Sequence, residues 1–331
     1  MRQVIAGQLR GLPKVELHLH LDCCLSYAAA SRLEPGLTRA QFDAEFVAPP
    51  RLDGLPAFLA RTGRHLALLQ TKEALALAVA DLLAQLRADN VLYAEARFAP
   101  HQHRQGGLAL SEVVDTVAQA IRDGSRDSPP ACGLILCGLW SDPPEHTGEI
   151  LDLVRAGRPG GVVVGMDVAG NEAHPNRPGH LDVLARARAE GIPFTVHAGE
   201  GSGPEAVREV VDLLGPARIG HGIRAIEDPA LVQRLARDGT HLEICPSCNI
   251  QLGLYPSFDA LPVGRLARAG VNVGINTDQR TITDTDLGRE YTRLGRADGY
   301  WTAAMLRQAN RRSMAAAFAD EGTKGRLLAM L

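Results

Sequence analysis

The chain has 331 residues, 45% of them hydrophobic and 22% charged, which excludes a disordered or low-complexity polymer and allows a large buried core. Thirty-five basic against 38 acidic side chains leave a formal charge of −3 with no dense Lys/Arg block, so no nucleic-acid footprint is expected. Six cysteines, at positions 23, 24, 132, 137, 245 and 248, are too few and too clustered for a disulfide scaffold and read as reduced thiols.

Residues 1–14 carry Arg2 and Arg10 but no apolar run of the length a signal sequence or a spanning helix needs, so the expectation is a cytoplasmic protein without membrane contact. Eight short apolar runs follow: 15–21, 91–98, 132–139, 161–169, 193–197, 217–221, 240–245 and 271–276. They lack period-2 alternation, which suits strands buried on both faces of a parallel sheet. Helical segments lie between them with stops at the expected places. They are 72–87 after Thr71, 111–123 before Gly124, 181–190 before Gly191, 204–214 before Gly215, and 228–237 with Pro229 at its start and Gly239 beyond its end.

Strand and helix alternate without a linker, which predicts a single α/β domain over 1–331, a (β/α)8 TIM barrel. Segment 34–69 reads as extra helices after the first strand, and 300–331 as a C-terminal helical tail.

The polar residues of these runs fall at strand ends: His18 and His20 on the first, His197 on the fifth, His221 on the sixth, and Asp278 just after the eighth. Strand C-termini of a barrel converge on one face, so these five become neighbours. On a strand, the His18-Leu19-His20 spacing turns both imidazoles to the same side. Imidazoles and a carboxylate suit Zn2+, with a water completing an open site. The fourth run offers no lysine to bridge two metals, so one zinc per chain is expected. Cys245 and Cys248 compete as a C-x-x-C pair. However, the upstream string His197-Ala198-Gly199-Glu200 is not the H-x-E that zinc cytidine deaminases pair with such thiols.

Several ordered motifs carry a resemblance: LPKVELHLHLD at 12–22, YAEARFAP at 93–100, GMDVAGNE at 165–172, FTVHAGE at 194–200, RIGHG at 218–222, EICPSCN at 243–249 and NTD at 276–278. Over nearly its whole length the chain resembles the adenosine deaminase family of the amidohydrolase superfamily. The resemblance implies a zinc-dependent aminohydrolase on a (β/α)8 barrel. It implies His18, His20, His197 and Asp278 as zinc ligands, Glu200 and His221 as proton-handling residues, Asp22 as a ribose contact and Gly170 as a backbone contact to the purine.

The chemistry supports those types. Zinc lowers the pKa of water, and a glutamic acid near the ring can protonate N1 as C6 is attacked. The sequence departs from the family where Gln279 follows Asp278, since many members have a second aspartate there. A glutamine amide can still donate to purine N7. Cys23-Cys24 after Asp22 is a second departure. The expected substrates are adenosine and 2′-deoxyadenosine. The alternatives are another 6-aminopurine nucleoside such as 6-aminodeoxyfutalosine, a non-catalytic nucleoside-binding barrel, or a zinc hydrolase of amides or phosphoesters.

Overall fold

A computed structural model describes residues 7–126 and 129–331; the first six residues of the N-terminal segment lie outside the described residues. The eight expected strands are present as β1 Lys14–His20, β2 Val91–Phe98, β3 Ala131–Leu139, β4 Val163–Ala169, β5 His197–Ala198, β6 Arg218–His221, β7 His241–Ile244 and β8 Asn272–Ile275. All pairings are parallel, within two four-stranded sheets ordered β1-β2-β3-β4 and β5-β6-β7-β8.

Two narrow seams join these halves into the (β/α)8 barrel. At one, Met166 N donates to Pro193 O (3.1 Å) and Thr195 N to Met166 O (3.1 Å). At the other, His20 N donates to Asp278 O (2.7 Å) and Asp278 N to His18 O (3.0 Å). The register of β1 on β2 slips between Glu16 and Leu19. On the opposite edge of β1 the Asn276 side chain substitutes for a strand, its Oδ1 accepting from Leu17 N (2.8 Å) and His18 N (3.1 Å).

Five strands, β4 to β8, are shorter than the sequence predicts. The fifth run yields regular ladder only at its end, because Pro193 has no N–H to offer β4. The fourth run starts late because Gly161, at φ 76°, still belongs to the preceding turn. Helix punctuation acts as read. Thr71 Oγ1 accepts from Ala74 N (3.2 Å), the Asp228 carboxylate accepts from Ala230 N and Leu231 N, and Gly239 closes Pro229–Asp238 in the left-handed conformation. The helix Pro144–Gly157 went unread, its pattern interrupted by Gly148.

The extra material after β1 begins earlier than expected, at Tyr27–Leu33, because Ser26 caps that helix and is itself held by Asp81. Arg39–Glu45, Gly54–Leu59 and Thr62–Leu68 complete it. Two helices, Ala303–Ala316 and Glu321–Leu328, form the tail. No helix among the described residues is long and apolar enough to cross a membrane.

The barrel interior departs from the apolar filling the runs imply. Glu95, Arg97, Asp167, Arg218 and Glu243 are fully buried there. Arg97 bridges Asp167 (2.5 Å) and Glu243 (2.8 Å), while Arg218 bridges Glu243 (2.8 Å) and Glu95. From below, Phe318 N donates to Glu95 Oε1 (2.6 Å) and the Phe318 ring lies 3.8 Å from the Arg218 guanidinium. Burial makes each charge costly alone, and alternation of sign makes the set tolerable.

Among the extra helices, His65 is wholly buried with Nε2 donating to Phe46 O at 3.2 Å. Burial pulls its pKa from 6.5 down to about 4. Between those values an unfolded chain takes up a proton that the folded chain refuses, so stability falls as pH drops from 6.5 towards 4. His65 should therefore account for about 2 kcal/mol of the loss between pH 7 and 5. Denaturant midpoints at those two pH values should differ less in His65→Gln than in the parent, and an unchanged difference would refute the assignment.

Candidate active site

The sequence-predicted residues converge at the C-terminal mouth of the barrel. Strand alternation points His18 and His20 inward from β1, β5 brings His197, and the chain after β8 brings Asp278 across the seam. His18 Nε2 and His20 Nε2 each stand 3.4 Å from Asp278 Oδ1, and His20 Nε2 stands 3.3 Å from His197 Nε2.

The hydrogen bonds behind the rings fix their tautomers. His18 Nδ1 donates to Glu243 (2.9 Å) and His197 Nδ1 to Asp167 (3.0 Å), so both Nε2 atoms turn lone pairs inward. Burial, against the pull of Asp278, drives the His20 pKa down to about 3, which keeps that ring neutral. Converging lone pairs beside a carboxylate oxygen, with His18 Nε2 and Asp278 Oδ1 both buried and unpartnered, form a cradle for a cation. Donors about 2.0–2.2 Å from one ion, at tetrahedral angles, stand roughly 3.3–3.6 Å apart, so the set fits zinc.

Two of the residues sit in strained backbone. His221 at φ 60° and Asp278 at φ 66° occupy the left-handed region, which non-glycine residues adopt only when their surroundings hold them there. His221 is buried with both ring nitrogens unpartnered, and Nε2 lies 3.4 Å from Glu200 Oε1. Burial pushes the His221 pKa well below its ordinary value. Glu200 moves the other way. Burial first, and then the charges of Asp278 and Glu172, raise its pKa well above that of a free carboxyl, which favours the protonated acid.

Glu172 also fixes the loop. Its carboxylate accepts from Gly199 N (2.8 Å), Glu200 N (2.8 Å) and Gly201 N (3.2 Å), and Gly199 supplies the turn at φ 75°.

A cavity of about 280 Å3 opens beside the cluster and brings Asp22, Gly170 and Gln279 together with His20, His197, Glu200, His221 and Asp278. Leu55, Phe58, Leu59 and Leu66 of the extra helices roof it. Asp22 is held by His103 Nε2 (3.4 Å) and Ala99 N (3.3 Å). Burial alone would raise its pKa, but the His103 contact outweighs that and holds it below the ordinary carboxylate range. Gly170, at φ 89°, has nothing within 4 Å of where a Cβ would stand, so its main chain is open. Gln279 Oε1 is buried without a partner. Cys23 also lines the cavity, whereas no lysine or arginine among the described residues does.

With this geometry in place, the family model described as adenosine deaminase matches residues 13–331. The chain belongs to the adenosine deaminase family. As a member, it is a hydrolytic deaminase of the amidohydrolase type. It is 36% identical over 294 residues to an adenosine deaminase of Enterococcus faecalis, covering 87% of each chain. It is 36% identical over 333 residues to an adenine deaminase of Rhizobium etli, covering 97% of this chain and 99% of that one. Among solved structures, a zinc-bound amidohydrolase from Burkhoderia ambifaria superposes with a TM-score of 0.86 at 25% identity, covering 98% of this chain and 90% of that one.

Sequence reasoning missed the residues that support the deaminase site: Asp167 and Glu243 behind the histidines, Glu172 under the Glu200 loop, and His103 behind Asp22. Three of these lie inside the motifs GMDVAGNE and EICPSCN. For Asp167 and Glu243 the available signal was a charge embedded in an otherwise apolar strand, because a buried charge needs a partner. The two thiols of the C-x-x-C pair stand among different donors. Cys245 neighbours His18 and His221, while Cys248 neighbours Glu200 and Asp278.

Proposed function

We propose that this chain, acting as one catalytic domain, is a zinc-dependent deaminase of adenosine and 2′-deoxyadenosine. His18, His20, His197 and Asp278 hold the ion, and the products are the inosines and ammonia. When bound, zinc makes a water nucleophilic at neutral pH.

The chain's own residues perform the rest. Glu200, whose surroundings raise its pKa, gives its proton to purine N1 while water adds at C6, so that negative charge does not build up in the ring. His221 presents an unpartnered nitrogen that orients the attacking oxygen. Gly170 meets the base through its open main chain, and the Gln279 amide donates to N7. The proton that the water loses is held by His221 and passes to the C6 amine, ammonia leaves, and the remaining hydroxyl proton returns to Glu200 as the 6-oxopurine forms.

The observation that carries the nucleoside reading is Asp22, an ionised acceptor in the same cavity as Glu200 that chemistry at C6 does not require. A sugar hydroxyl satisfies it. A 5′-phosphate finds no lysine or arginine among the described lining residues, which favours nucleosides over nucleotides. Absorbance assays with adenosine, 2′-deoxyadenosine, adenine, 6-aminodeoxyfutalosine and AMP test the choice.

Asp22→Ala should lower kcat/KM for adenosine about 10- to 100-fold, the worth of a hydrogen bond to a charged group, while sparing adenine. Free adenine is the second reading, favoured by the Rhizobium etli relative that spans more of both chains. A parent enzyme that turns over adenine with the higher kcat/KM would replace the first reading with the second.

A further inference from the structure

Cys248 has no part in the chemistry above, yet it lies among groups that do. Its thiol donates to Glu200 Oε1 at 3.4 Å. Cys248, Glu200 and Asp278 are all buried and offer ligand atoms within 4.8 Å of one another. A fourth donor faces the same place, since His221 Nε2, buried and unpartnered, stands 3.4 Å from that same Glu200 oxygen.

We propose that Cys248, Glu200, His221 and Asp278 form a second cation site beside the first, taking a thiophilic divalent ion and shutting the enzyme off when filled. A sulfur, an imidazole nitrogen and carboxylate oxygens suit Zn2+ in excess or Cd2+, whereas Mg2+ and Ca2+ prefer oxygen alone. Asp278 has two carboxylate oxygens and can serve both ions. On binding, the S–H bond of Cys248 and the O–H bond of Glu200 are replaced by bonds to the metal, and both protons go to solvent. Glu200 and His221 are then engaged by the ion and withdrawn from the purine. The inhibition rests on the catalytic roles proposed above, whereas the site itself rests only on the donor geometry.

The test adds Cd2+ to enzyme already holding one zinc per chain. It follows the ultraviolet thiolate-to-cadmium band, retained zinc by metal analysis, and deamination. The expected result is one further cadmium per chain, with zinc retained, the band present, and the rate falling at least about ten-fold in step with it. The band should vanish in Cys248→Ser and persist in Cys245→Ser. A band that survives in Cys248→Ser, or that grows only as zinc is released, overturns the proposal.

If Cys248→Ser does not fold, X-ray absorption at the cadmium edge of the parent decides: one sulfur neighbour with zinc retained supports the site, and none overturns it. Parent enzyme that deaminates no purine but shows the band with zinc retained would refute the proposed function and leave the site standing.

Discussion

Glu200→Gln is expected to lower deamination of adenosine by about 10²–10⁴-fold while leaving the fold and zinc content unchanged. Glutamine matches the shape of the carboxylic acid but cannot give up a proton to N1. The loop does not depend on the acid itself, because Glu172 grips the main-chain amides of Gly199, Glu200 and Gly201. The Cys248 thiol contact survives too, since an amide oxygen accepts as a carboxyl does. The loss should therefore fall on kcat, with KM changing little, as for an interaction made only in the transition state. Steady-state kinetics with metal analysis and circular dichroism on the same sample give the answer. Turnover within a few-fold of the parent would remove Glu200 from the mechanism.

Glu243→Gln should have the largest effect on stability. The Glu243 carboxylate receives Arg97, Arg218, His18 Nδ1 and Thr195 Oγ1, every one of them fully buried. Burial works against its charge, but the two guanidinium groups outweigh that and hold its pKa well below the ordinary range. Removing the negative charge leaves Arg97 and Arg218 sharing what remains on Asp167 and Glu95. Breaking a buried pair in this way costs about 3–5 kcal/mol. The His18 ring also loses its charged anchor, so zinc affinity should fall about 10- to 100-fold. Urea midpoints of the zinc-free protein report the first effect, and competition with a chelator reports the second. A variant that keeps both would show that the network is not what holds the barrel interior together.

Much of the fold was legible because it follows from local rules. A buried parallel strand needs an uninterrupted apolar run, and a helix needs a cap and a stop, so the barrel and most of its helices could be read in order. The five residues at the strand ends could be assembled because barrel topology does the assembling. What could not be read depends on partners far apart in sequence. Glu95 and Arg97 sit in a strand that is otherwise apolar, and nothing local says that Arg218, Glu243 and Asp167 will meet them. Asn276 belongs to a motif chosen for Asp278, yet its amide closes the hydrogen-bond gap along β1. The shortened fifth strand and the early start of the helices after β1 are likewise settled by a missing N–H and by Asp81, not by pattern.

The seam through which Asp278 reaches β1 also bears on the order of events in synthesis. The proposed ligands His18 and His20 leave the ribosome first, and Asp278 follows only after all but the last strand-flanking helices have been made. An incomplete chain offers an ion only part of its set of donors. Metal acquisition is thus a late step, possible once the ends of the barrel have met, and a zinc-loaded molecule is one whose circle of strands has already closed.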